Sequence, residues 1–203
     1  DNPIPNEIEY NVNDGASLTT PHTGIWLQNC NEALVKENTI ENDAEVTTNP
    51  ALLRGIVADL STDLTICGNN LTNLGHAIQF EGPCLNNELK NNLMTDYFIG
   101  INHILADVSI QGSATEPWDN KWINSNTSLM KVDGTVDPPV NKQWYFQGND
   151  DPANDWSPNP YSNDVVAPGG DNSSGTTPVC IYETFINEDV DRDLVYGPVV
   201  ADT

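Results

Sequence analysis

Two acidic runs carry carboxylates at spacings that suit a divalent cation. Asp189, Asp191 and Asp193, in E-D-V-D-R-D-L, follow the D-x-D-x-D opening of a calcium loop, in which alternate carboxylates converge on one hard ion. That frame is incomplete: Leu194 stands where a glycine would make the turn, and Val200 where a glutamate would close the loop. The other run is Asn149-Asp150-Asp151 with Asp155. These aspartates are the candidate metal ligands, and calcium is the candidate cofactor. A second chemistry is offered by Trp144, Tyr145 and Trp156, which lie among many Pro, Gly, Asn and Asp residues. Exposed aromatic faces stack on sugar rings while neighbouring amides and carboxylates bind hydroxyls, so these three are the candidate glycan platform. Their alternative role is to fill an apolar opening with ring surface. The sequons at Asn70, Asn126 and Asn172 match N-x-[ST] and matter in a eukaryotic host only.

The elements that would hold these groups are written as a repeat between Asn6 and Gly112. N-E-I-E-Y-N at 6–11 is followed by T-G-I-W-L at 23–27. E-N-T-I-E-N at 37–42 is followed by R-G-I-V-A at 54–58, then G-N-N-L-T-N at 68–73 by H-A-I-Q-F at 76–80, and K-N-N-L-M-T at 90–95 by I-G-I-N at 99–102. An apolar ladder runs through Ile25, Ile56, Ile78 and Ile101, in steps of 31, 22 and 23 residues. A polar ladder runs through Asn6, Asn38, Asn69 and Asn91, each two places before Ile8, Ile40, Leu71 or Leu93. A unit of about 22 residues with short alternating runs broken by Asn or Gly predicts one coil of a parallel β-helix. Period-2 alternation sends one set of side chains into the tube, where equivalent positions stack. Asn suits the corners because its side chain bonds nearby backbone in conformations most residues resist. A β-sandwich would also show short, regularly spaced strands, but it does not require Asn-x-Ile and Gly-Ile to recur in fixed order. The leucine-rich frame L-x-x-L-x-L is missing.

At these residues the chain resembles the right-handed parallel β-helix, or pectate-lyase-like, superfamily. The likeness is nearest to the Asn-rich coil repeats of large secreted bacterial surface proteins. F-E-G-P-C at 80–84 and N-K-W at 120–122 resemble the last coils and end region of such proteins. The resemblance covers about half the chain and implies a fold rather than a reaction. Lyases of the superfamily need an acidic calcium cluster and a Lys or Arg base on a neighbouring coil. The repeats supply Lys36, Arg54 and Lys90, of which Lys36 and Lys90 read as outward-facing. Hydrolases of the fold use several carboxylates on adjacent coils with a Gly-His pair nearby. Gly75-His76 fits that pair, while no Asp pairs stand at equivalent places on consecutive strands; His22, His76 and His103 fall at non-equivalent coil positions.

The four cysteines suit an oxidising compartment and two disulfides. Cys67 with Cys84 would close a short loop within one coil, leaving Cys30 with Cys180 to pin the tail onto the first coils. Cys30 and Cys84 sit at similar corners two coils apart, near 10 Å at about 4.8 Å per strand, too far for a bond. No cysteine spacing supports zinc.

A net charge of −23 with 7 Lys and Arg argues against nucleic acid or an anionic membrane surface as partner. It suits solubility outside the cell, or cation binding. No run is long enough to span a membrane and no charged-then-apolar leader opens the chain. Asp1–Pro5 is too short to cover the first coil, whose open end would expose unpaired backbone. The expected partner is therefore a polypeptide over that coil, either a missing N-terminal part or another subunit. Within the second coil the insertion Asp43–Arg54 offers Asp43, Glu45 and Arg54, with Asp59 just beyond it, as a protruding face.

The expectation is an all-β chain: a right-handed parallel β-helix of about four coils over 1–112, and an irregular aromatic and Pro-rich region over 113–203 covering one end. Val165–Thr177 reads as a loop and Val179–Tyr196 as strand-like tail. The expected function is that of a secreted or cell-surface protein with a structural, adhesive or glycan-binding role, the polysaccharide as partner, or a subunit of a surface assembly. The alternative is a polysaccharide lyase or glycoside hydrolase, marked by carboxylates on stacked strands.

Overall fold

The computed structural model describes residues 7–10, 18–44, 49–136, 142–147, 155–171 and 180. The first coils are built from β1 (Glu7–Tyr10), β2 (His22–Gln28) and β3 (Leu34–Lys36), then β4 (Thr39–Asn42), β5 (Leu53–Asp59) and β6 (Thr65–Cys67). There follow β7 (Asn70–Thr72), β8 (His76–Glu81) and β9 (Glu88–Lys90), then β10 (Leu93–Thr95) and β11 (Ile99–Ile104). The last are β12 (Lys121–Ile123), β13 (Val132–Gly134), β14 (Gln143–Phe146) and β15 (Ala167–Asp171). Up to β11, every third strand joins the same sheet. The first sheet has the order β1-β4-β7-β10-β12, the second β2-β5-β8-β11-β13 and the third β3-β6-β9, and all pairings are parallel. This is a parallel β-helix.

The isoleucine ladder holds in register. Ile25 pairs with Ile56, Ile56 with Ile78, Ile78 with Ile101, and a fifth rung, Val132, continues it. Ile56, Ile78, Ile101 and Val132 are fully buried, each worth about 1.5–3 kcal/mol of apolar burial. The first sheet stacks Ile8, Ile40, Leu71, Met94 and Trp122 in the same way, and the third stacks Val35, Ile66 and Leu89.

Coil stacking does not stop at 112. β12 and β13 extend the first two sheets, and β14 carries Trp144 onto Gln111. A further turn is marked by Trp122 N donating to Asp155 O, by the bridge from Val132 to Tyr161, and by β15 on β14. The 113–203 segment therefore begins as helix coil and not as an irregular cap. Its aromatic residues continue the interior: Trp122 stands where earlier coils place aliphatic side chains, and Trp144 is buried beside Gln111.

The polar ladder is shifted by one residue in its fourth rung. Asn38 Nδ2 donates to Asn69 Oδ1 at 2.8 Å, Asn69 Nδ2 to Asn92 Oδ1 at 2.9 Å, and Asn92 Nδ2 to Asn120 Oδ1 at 2.8 Å. Each acceptor also takes the backbone N–H of the preceding rung. The ladder therefore runs through Asn92 rather than Asn91, and Met94 rather than Leu93 turns inward. Asn91 belongs to the column just before it, with Glu37 and Gly68, where φ is 51°, 53° and 67°. Asn6 lies outside the described residues.

The cysteine pairing differs from the expectation as well. Cys67 bonds Cys180, 5.9 Å away between Cα atoms, while Cys30 and Cys84 are free thiols. Cys67 ends a third-sheet strand, between Lys36 and Lys90 in its column. Cys84 sits at another corner, where Sγ donates to Ala58 O and Glu81 O, so the two never face each other.

Candidate functional site

Alternation along β8 sorts its side chains: Ile78 and Phe80 fill the core, and Gln79 and Glu81 project from the outer face of the second sheet. Parallel register then builds columns across coils. One is Trp26, Val57, Gln79, Asn102 and Asp133; another is Gln28, Asp59, Glu81 and Ile104; a third is Thr23, Arg54, His76 and Ile99.

These outer side chains form one network. Arg54 Nη1 lies 3.1 Å from Glu81 Oε1, and Gln79 Nε2 donates to the same oxygen at 2.5 Å. Gln79 Oε1 accepts from His76 Nδ1 at 2.5 Å and from Asn102 Nδ2 at 3.3 Å. The first contact requires His76 to carry its proton on Nδ1, leaving Nε2 as an acceptor. Burial holds the His76 pKa below the usual value, against the raising influence of the Gln79 hydrogen bond, so the ring is neutral near pH 7. On the neighbouring strand Gln28 Nε2 donates to Asp59 Oδ2 at 2.9 Å. The base of the network is buried, with Gln79 and Asn102 under 10% exposed, whereas Asp59 and Glu81 are half-buried and Gln28 and Trp26 exposed. At 60%, Trp26 is an unusually open indole.

Asp59 and Glu81 are thus carboxylates at equivalent places on consecutive strands, a pairing that a search for two aspartates misses. The isoleucine ladder contains the signal. Three residues after Ile56 and Ile78 come Asp59 and Glu81, and two before them Arg54 and His76.

The residues singled out from sequence fall elsewhere. Trp144 is 3% exposed and lines the core, leaving no face for a sugar, while Tyr145 and Trp156 are half-buried. Asp155 is engaged by Lys131, 2.6 Å from Nζ to Oδ2. Asp150, Asp151, Asp189, Asp191 and Asp193 lie outside the described residues, as does Glu45. Among the described residues no group of three or more His, Cys, Asp or Glu is placed to hold a metal. His103 faces inward over Phe80 and His22 is exposed. Lys36 and Lys90 point outward, to Glu37 and Glu88. The insertion returns as a short 3-10 turn, Pro50–Leu52, and Pro50 packs so closely over Gly75 that a Cβ there would lie 1.7 Å from its carbonyl oxygen.

Fold and face together define a parallel β-helix protein with a pre-organised polar outer surface. Residues 7–139, more than half of the chain, match the family described as protein of unknown function DUF1565, and the chain belongs to that family. No curated protein and no solved structure matches it. Among the described residues no helix is long and apolar enough to cross a membrane.

Proposed function

We propose that this chain is a secreted or cell-surface β-helix that binds a neutral polysaccharide along the outer face of the second sheet, in an adhesive or structural role. The observation that carries the reading is the open Trp26 indole next to the accessible column Gln28, Asp59 and Glu81. An aromatic face gives stacking area, and carboxylates held in place by Gln28, Gln79 and Arg54 accept sugar hydroxyls without first being ordered. The column runs across the coils, so an extended chain meets equivalent groups at each 4.7–4.9 Å strand step. Neutral polymers are favoured because a net charge of −23 repels uronates. The Cys67–Cys180 disulfide supports an oxidising location. β1, β2 and β3 each end their sheets, an edge that a further polypeptide would continue in a surface assembly.

Affinity electrophoresis through gels holding neutral or uronic polysaccharides tests the reading. The protein should be retarded by at least one neutral polymer, with Trp26→Ala weakening the interaction about tenfold. Equal mobility of the protein and Trp26→Ala in every gel refutes it. Repeating the gels with calcium and with chelator tests the acidic runs.

Hydrolysis is the second reading, favoured by the stacking of Asp59 on Glu81, since adjacent carboxylates are the hydrolase arrangement. Release of reducing ends that is abolished in both Asp59→Asn and Glu81→Gln would replace binding by catalysis. A lyase is less well supported: Arg54, the base it would need, is paired with Glu81.

A further inference from the structure

The third sheet stops at β9, and what stands in for a fourth strand leaves a recess beside it. Leu89 N donates to Gln111 Oε1 at 3.0 Å, Leu89 O accepts from Asn120 Nδ2 at 2.9 Å, and Asn87 O accepts from Gln111 Nε2 at 2.7 Å. Two side-chain amides thus satisfy an edge that a further strand would have paired. Between them the chain loops away from the tube, with residues 113–116 exposed, and returns through Trp118. A recess of about 290 Å³, open to solvent, lies between Asn86, Asn87, Glu88, Ser109, Ile110 and Trp118. Its volume is close to the lower bound of the roughly 300–1,000 Å³ of small-molecule sites.

The groups around it can be reached from solvent. Asn86 is exposed, Ser109, Ile110 and Trp118 are half-buried, and the Glu88 side chain is 37% exposed. Ile110 and Trp118 supply an apolar wall, and Asn86, Ser109 and Glu88 a polar rim. Lys90 does not line the recess, but its Nζ stands 4.5 Å from the Trp118 ring centroid and 2.7 Å from Glu88 Oε2, which holds wall and rim in place. That ammonium narrows the choice of occupant. It already takes the place that a cation would take on the indole, while the Glu88 carboxylate opposes an anion. The edge of β9 is met by Gln111 and Asn120, so a peptide strand has nothing to pair with. A neutral molecule with an apolar face and hydroxyls around it is what remains. Its C–H face would lie on Trp118 and Ile110. One hydroxyl would donate to the Glu88 carboxylate and another accept from Asn86 Nδ2, of which one hydrogen goes to Asp63 Oδ1 at 3.2 Å. We infer that this recess binds one neutral pyranose unit, at a site that does not rest on the outer face of the second sheet.

The test is an NMR titration of protein carrying ¹⁵N-labelled tryptophan, with the methyl glycosides of glucose, galactose, mannose and N-acetylglucosamine as probes. The Trp118 indole resonance, assigned by its loss in Trp118→Phe, should move saturably with at least one of them. Trp118→Ala removes the wall, and its affinity, read at the ligand's resonances, should fall about tenfold. Asn86→Gly removes the rim amide at a position of φ 58°, which glycine adopts without strain. Its thermal midpoint should therefore change little while affinity falls about fivefold. Trp26→Ala should leave the Trp118 shift as it is in the parent. A shift that vanishes in Trp26→Ala would assign the sugar to the outer face and overturn the proposal. It is overturned equally if no probe moves the Trp118 signal, or if either Trp118→Ala or Asn86→Gly binds as the parent does.

Discussion

His103 shows how burial converts one side chain into a pH-dependent contribution to stability. It takes the interior rung above Phe80, with ring centroids 5.7 Å apart, and its Nδ1 donates to Ala106 O at 3.1 Å. Nε2 is buried without a partner. Burial lowers the pKa to about 4, against the smaller raising effect of the Ala106 carbonyl. In the unfolded chain the ring titrates near 6.5. Between these values the unfolded state binds the extra proton, so stability falls as pH drops from about 6.5 to about 4, approaching about 1.4 kcal/mol per pH unit. His76 acts in the same direction, while Asp107 and Asp119, raised by burial, act in the other. The readout is therefore a difference: urea unfolding of the parent and of His103→Phe at pH 7 and pH 5. The parent should lose more stability on acidification than the variant; parallel losses would show that His103 is not responsible. None of this was legible from sequence, where His103 falls at a coil position equivalent to neither His22 nor His76. The step of 23 residues from Phe80 places it in the core only after the pairing of β8 with β11 is known.

At the scale of the element, the two ladders differ in how plainly they are written. Isoleucine has one place per coil and its register was legible. Asparagine comes doubled, as Asn69-Asn70 and Asn91-Asn92, and a doubled residue leaves the register open by one. What decides it is the left-handed residue before the ladder: Glu37, Gly68 and Asn91 all have positive φ, and the amide that follows is the one that turns inward. Coils beyond 112 were hidden for a related reason. Their steps are long, 31 residues from Ile101 to Val132, and Trp122 replaces the aliphatic residue that defines the earlier coils. The corrected register predicts unequal costs. Asn92→Ala removes the acceptor for both Asn69 donors and should cost about 2–4 kcal/mol. Asn91→Gly, at φ 51°, should be near neutral. Chemical denaturation of the two variants separates the columns, and the reverse ranking would restore Asn91 to the ladder.

For the whole molecule, the Cys67–Cys180 bond joins residues 113 apart in sequence. Pairing was not legible because Cys67 and Cys84 lie close along the chain but at different corners. The thiols give a direct check: under non-reducing denaturation, alkylation should label Cys30 and Cys84 and spare Cys67 and Cys180. In the folded protein only half-buried Cys30 should react, because Cys84 is fully buried. Labelling of Cys180 would disprove the pairing. Reduction should lower stability by about 2–4 kcal/mol, a loop of this length lying at the upper end of the usual range.

The asparagine column also has a sense of direction. From Asn38 to Asn92 each side-chain amide gives one hydrogen to the asparagine of the later coil, while Asn69, Asn92 and Asn120 also give one back to a carbonyl of the earlier coil, Val35 O, Ile66 O and Leu89 O. Only the links from side chain to side chain share one direction, and amides linked in this way polarise one another. Peeling the first coil takes from Asn69 both donors to its oxygen and the Val35 carbonyl that its amide meets, whereas peeling the last takes from Asn92 the single oxygen that its side chain and backbone N–H share, which makes the two ends of the tube mechanically inequivalent.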